Sequence, residues 1–220
     1  MLTSIIQVPP AFVAQPSQEP VMSIVSRKEL ATFSRFVYDV YAANNAGDLG
    51  WEPNEEEIRE FIEEDTAYFP RSLYVWFKAG GTIPLSTLKI THYTPELLFP
   101  IEKQFNLPVS ELAKRAGIST EEFYHLGRLS VDKNRLSDMG PSSRELFTRM
   151  LHRCLLFTTW SPQGTIFAEA ALPAVQLFEK IGCPFEVVGD PDFHTGTYTY
   201  PVVLRPDVIR NWLASNEDLM

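Results

Sequence analysis

The chain has 220 residues, 45% hydrophobic and 12% aromatic, with a formal net charge of −9. That is enough apolar material for one sizeable core, and a single domain over 1–220 is expected, with 1–19 as an extended arm. The acidity argues against nucleic-acid binding, because neutralising phosphates needs net positive surface, and no run approaches the ~20 apolar residues that span a bilayer.

Residues 20–26 are predicted as a first strand. Residues 27–44 place Leu30, Phe33, Phe36, Val37, Val40 and Tyr41 at helical spacing, with one face inward. A loop over 45–52 carries Trp51. An acidic helix follows, with nine acids and a single Arg59 between Asp48 and Asp65. Its charges read as a solvated face anchored by Ile58, Phe61 and Ile62. Residues 73–93 form a hairpin, two β-rich runs flanking Gly80-Gly81. Residues 95–123 are a helical excursion interrupted by Pro100 and Pro108. A strand over Leu126–Val131 leads through a polar loop with Gly140 and Pro141 into a long amphipathic helix. The remainder reads as a strand at 165–171, a helix at 172–183, strands at 184–190 and 197–205, and a last helix opened by Pro206. Strands alternating with helices in this order predict an α/β (α+β) fold, a mixed central sheet flanked by helices.

The junction before the long helix carries the first sign of chemistry. Ser142 and Glu145 have capping-box spacing, and a strand running through a loop into a helix N-terminus presents amides and a positive dipole end to an anion. Between Arg128 and Arg153 six basic residues face three acids, against the net negative charge of the whole. Gly140, Ser142, Ser143 and Arg144, with Lys133 and Arg135, are therefore expected to hold a phosphate. Cys154 and Cys183 make neither a disulfide framework nor a zinc site, so no metal is expected and a reducing, cytoplasmic compartment is. The first residues lack the basic segment of a secretory signal.

Residues 109–125, VSELAKRAGISTEEFYH, have the pattern of a helix-turn-helix, so a DNA-binding regulator competes as a function. The would-be recognition helix carries Glu121 and Glu122 and no Lys or Arg, which would repel phosphate.

The element order resembles the GNAT acyltransferase superfamily, in particular its acyl-homoserine-lactone synthase and N-acyl amino acid synthase branch. Arg35 followed by LGW at 49–51 is similar to the branch's Arg…Trp region, and STLKI resembles its G-x-x-R-L strand, with Lys89 in place of Arg. LLFPIEKQF (97–105) is similar to L-P-I-E-x-x-F, HLGRLSVDK (125–133) to E-x-S-R-x-x-V, and GCPFEVVG (182–189) to a late Gly-spaced segment. His125 stands where the branch has a carboxylate, and the loop from Arg135 to Gly140 lacks the tight acetyltransferase pattern.

The resemblance implies transfer of an acyl group, a long one in this branch, from acyl-CoA or an acyl carrier protein to a small-molecule amine such as an amino acid. Oxyanion donors would come from the backbone near Leu129 and Val131, splayed from the neighbouring strand. His125 is the first choice of base, since imidazole titrates near neutrality; Glu122 and Glu169 are rivals, the latter an isolated acid in an apolar strand. Tyr124 and Tyr198 are candidates for the acid that protonates the thiolate. Arg128 would share a face with His125 only through a bulge, or would pair with an early acid such as Asp65. Arg35, Phe36, Trp51, Asp65 and Lys89 are expected to shape the acceptor pocket. The departures at His125 and Lys89 leave a catalytically inert acyl- or carrier-binding protein as the alternative.

Overall fold

A computed structural model describes residues 20–47, 50–137, 143–158, 161 and 163–219. Its centre is a mixed sheet in the order β1-β2-β3-β4-β5-β8-β6, with β7 also paired to β8. The strands are β1 (Val21–Ile24), β2 (Ser72–Ala79), β3 (Ile83–His92), β4 (Phe123–Val131), β5 (Thr165–Ala171), β6 (Glu186–Val187), β7 (Asp192–His194) and β8 (Thr197–Leu204). The helices are α1 (Leu30–Asn45), α2 (Glu55–Tyr68), α3 (Pro100–Phe105), α4 (Val109–Arg115), α5 (Lys133–Ser137), α6 (Ser143–Thr158), α7 (Leu172–Lys180) and α8 (Pro206–Ala214). No helix among the described residues is long and apolar enough to cross a membrane.

Strand β2 shows how the sheet divides the core. Successive side chains of a strand point to opposite faces. Tyr74 and Trp76 pack against Phe33, Val37, Ile58 and Phe61 of α1 and α2. Val75 and Phe77 pack on the other face with Phe147, Leu151 and Leu155 of α6 and with Trp212 of α8. The β2–β3 turn carries Gly80 at φ 54° and Gly81 at φ 74°, conformations open to glycine that match the twist of a tight hairpin. Asn54 caps α2, its side chain accepting from the N–H groups of Glu56 and Glu57 at 3.0 Å each, and Glu55, Glu56 and Glu57 sit at the positive end of the helix dipole.

The helix-turn-helix does not form. After α4 the chain has no second helix; Glu121 and Glu122 lead straight into β4 at Phe123. Helices α3 and α4 instead pack Phe99, Ile101, Leu112 and Ala113 against Phe123, Phe167 and Val203, under the first half of β4 and β5. Burying these apolar side chains at ~25 cal/mol per Å² outweighs any weak helical preference in STEE. The strand expected at 184–190 shrinks to two paired residues, and the exposed Asp192–His194 adds a short strand, β7, that no periodicity announces. The acidic helix begins at Glu55, because Pro53 and the Asn54 cap fix its start.

Candidate functional site

Strands β4 and β5 are parallel neighbours over only three residues, Phe123↔Thr165 to His125↔Phe167. Beyond them β5 stays with β8 and β4 stays with β3. The facing edges part into a V, so that 127–131 and 168–171 do not pair with each other and their inner edges border the gap. A cleft of about 1180 Å³ fills this gap and extends over α2, α3, α7 and the β7–β8 hairpin.

One extra residue in β4 shapes the cleft floor. Between the pairs Lys89↔Gly127 and Thr87↔Ser130 strand β3 advances two residues and β4 three. Arg128 is the added residue, at φ 56°, a left-handed conformation that costs a non-glycine side chain about 1–3 kcal/mol. The bulge turns its guanidinium toward α2. Nε lies 3.0 Å from Asp65 Oδ1, and one terminal nitrogen lies 2.6 Å from Glu64 Oε2. The guanidinium carbon sits 3.8 Å above the Phe61 ring.

Asp65 is fully buried and accepts four groups: Ser34 Oγ at 2.7 Å, Arg128 Nε, Tyr74 OH at 3.1 Å and Lys89 Nζ at 3.2 Å. Burial alone would raise its pKa; the charges of Arg128 and Lys89, with the Ser34 hydroxyl, hold it below the ordinary carboxylate value. Lys89, 1% exposed, is pulled down by burial, against the pull of Asp65. Lys103 of α3 joins at 3.5 Å from Glu64. Tyr41 borders the cleft, and burial pushes its hydroxyl up to about 12.

Across the V, His125 Nε2 lies 3.0 and 3.1 Å from the two carboxylate oxygens of Glu169. Burial would raise the Glu169 carboxyl, but the charge and hydrogen bond of His125 hold it low. With Glu169 ionised, Nε2 carries the proton as donor, and Nδ1 is left as an acceptor lone pair. Nδ1 is buried and has no hydrogen-bond partner. Gly127 makes room beside it: a Cβ there would lie 2.9 Å from His125 Cε1, 3.4 Å from Nδ1 and 3.7 Å from Lys89 Cε. The Cε1–Nδ1 edge of the ring therefore looks onto space that any other residue would fill.

The structure brings His125, Glu169, Arg128, Leu129, Val131, Lys133, Lys89 and Trp51 to the cleft, with Asp65 directly behind it. Other expected residues lie elsewhere. Arg35 is exposed and pairs with Glu55 and Asp39. Phe36 is buried in α1 and does not line the cavity; it shares the stripe of Val40 and Asn44 but sits one turn nearer the start of the helix. Glu122 is on the surface, 3.4 Å from His92. Tyr124 packs against Phe157, and Tyr198 is exposed against Phe193. Arg135 bonds to Asp132 and the Pro84 carbonyl, and Arg144 to the Lys180 carbonyl. Gly140 and Ser142, and the side chain of Ser143, lie outside the described residues. Glu57, Glu60, Glu64 and Gly127 are cleft residues the sequence reading passes over. A glycine inside an apolar strand is a sign of close approach that points to Gly127.

No protein-family model matches the sequence, and no curated protein matches it. Solved structures do. FeeM, an N-acyl amino acid synthase from uncultured soil microbes, superposes with a TM-score of 0.63 at 15% identity, over 90% of this chain and 98% of its own. The acyl-homoserine-lactone (AHL) synthase LasI gives 0.60 at 10% identity, over 90% and 96%. An acetyltransferase of the GNAT family from Staphylococcus aureus Mu50 gives 0.55 at 7% identity, over 85% and 99%. The chain has the GNAT-type fold of these acyltransferases.

Proposed function

We propose that the protein is an N-acyltransferase that moves an acyl group from a pantetheine thioester to an amine by direct attack. The observation that carries this is the buried His125, oriented by Glu169 and left with a bare Nδ1 at the apex of the parted strands. A base in that place needs no nucleophilic side chain. The amine nitrogen attacks the thioester carbon, and His125 Nδ1 takes its proton, directly or through one water. The negative charge on the former carbonyl oxygen is met by unpaired β4 amides around Leu129–Val131. Collapse breaks the carbon–sulfur bond, and the proton goes to the departing thiolate. The Glu169 carboxylate holds the imidazolium in between. An inert carrier-binding protein has no use for such a pair.

The apolar half of the cleft supports a donor chain longer than acetyl. Leu129, Ala168, Ala170, Leu177, Phe178 and Phe185 line it, and a cavity of this size exceeds what a two-carbon group requires. Lys133, at the open end of β4, would meet the pantetheine phosphate; coenzyme A and an acyl carrier protein both present one. The free, buried thiols of Cys154 and Cys183 suit a cytoplasmic setting.

The test is mass spectrometry of lipid extracts from cells expressing the protein and from cells expressing His125→Ala. N-acylated amines present with the first and lost with the second support both the reaction and the base. Purified protein supplied with acyl-CoA or with acyl carrier protein then separates the two donors. No product, with no thioester consumed from either donor, overturns the proposal.

A further inference from the structure

The acceptor side of the cleft has a charge pattern that selects among amines. Glu57, Glu60 and Glu64 fall at i, i+3 and i+7 of α2, on the one face that borders the cavity, and Asp192 of β7 also lines it. The four cations that line the same space are Lys89, Lys103, Arg128 and Lys133. Lys89 and Arg128 are bound to Asp65, Arg128 also to Glu64, and Lys103 to Glu64. Lys133 is at the donor end. Among the described residues no cation is within ion-pair distance of Glu57, Glu60 or Asp192. Glu57 is instead presented: Tyr38 OH donates to Oε2 at 2.5 Å and Trp51 Nε1 to Oε1 at 3.3 Å. A second feature of the same cleft is the buried His125, whose Nδ1 lacks a hydrogen-bond partner beside the notch at Gly127.

We infer that the acceptor carries a second protonated nitrogen besides the one that is acylated, as in a diamine or a basic amino acid, and that Glu57 and Glu60 bind it. This inference rests on the acyl-transfer reading for the reacting nitrogen only. The reacting amine must lose its proton next to His125. The second stays charged and pairs with the α2 carboxylates, which hold no competing cation. A neutral side chain in that position would leave two carboxylates facing it without compensation, so monoamines of the same length bind less well.

The experiment compares acceptors matched in length and different in charge, cadaverine with pentylamine and lysine with norleucine, using dodecanoyl-CoA and dodecanoyl acyl carrier protein as donors. The dicationic member of each pair is expected to be preferred about tenfold in kcat/KM, the scale of one charge-assisted contact. Glu60→Gln should reduce that preference and Glu60→Lys should abolish it, through KM with kcat nearly unchanged. Equal use of both members, or a preference unaltered in both variants, overturns the inference. Should no acceptor be acylated, the transfer reading fails, and calorimetry decides the charge selection by itself. Binding of cadaverine but not pentylamine, lost in Glu60→Lys, supports it; no difference between the two amines overturns it.

Discussion

Glu169 and His125 meet across the point where β4 and β5 part, both carboxylate oxygens within 3.1 Å of the same ring nitrogen. The contact leaves Nδ1 as the bare nitrogen, and in the proposed transfer the carboxylate is the counter-ion of the imidazolium. Glu169→Gln keeps the shape and removes the charge. It is expected to lower kcat by about 10²-fold, the low end for general-base catalysis, with KM for the acceptor little changed. Steady-state kinetics check this; a variant with wild-type kcat would remove Glu169 from the mechanism.

Asp65 holds two buried cations at once, so its replacement by Asn should act first on folding. Breaking such a buried pair costs about 3–5 kcal/mol because the remaining charge is stranded. The pH dependence follows from the depressed Asp65 carboxyl, whose ordinary value is 3.8. A group with a lowered folded pKa stabilises the native state above its unfolded value and loses that contribution as pH falls through the folded one. The Asp65 contribution should therefore be lost only below pH ~4, and Asp65→Asn should be destabilised at pH 7 with a flatter acid limb. Urea melts at a series of pH values measure both.

How much of this is legible in the sequence depends on the range of the interaction. The β2–β3 hairpin rests on Gly80-Gly81 and local alternation, and β5 coincides with the apolar run 165–171; both are local signals. Asp65 has a local signal too. It falls on the stripe of Ile58, Phe61 and Tyr68, the buried side of α2, so it is the one acid of that helix whose spacing already sets it among core residues. Its partners Lys89 and Arg128 lie 24 and 63 residues on, and no periodicity links them. Glu57 and Glu60 look like any solvated acids until the cleft is seen to run along them. Arg35 shows the reverse: a shared motif can carry a residue type into a position where the helix turns it to solvent.

Gly127 separates positioning from stability. Its φ is not in the left-handed region, so the backbone tolerates alanine there, and the added Cβ would meet the His125 ring at 2.9 Å. The ring must tilt away from the notch or from Glu169. Gly127→Ala is expected to fold, with a melting temperature within a few degrees of wild type, and to lose about 10²-fold in kcat, the effect of a misplaced reacting group. Retained activity would mean that Nδ1 is not the base.

The roof of the acceptor side offers the last test. Gly196, at φ 78° in the β7–β8 turn, lies against Trp51 and the end of α1: a Cβ there would stand 2.4 Å from Trp51 Cε3 and 2.8 Å from Asn45 Cβ. Asn45 Nδ2 donates to the Thr195 carbonyl at 3.0 Å, tying the turn to α1. Alanine at 196 brings two penalties, about 1–3 kcal/mol for the left-handed backbone and displacement of the indole that braces Glu57. Gly182→Ala isolates the first, because Gly182 has φ 79° with nothing within 4 Å of its added Cβ. Gly196→Ala should lose more stability than Gly182→Ala, and only Gly196→Ala should shift the tryptophan emission and raise KM for the acceptor. If the two variants behaved alike in KM, the roof would be scaffolding and the Trp51–Glu57 contact would have no part in seating the amine.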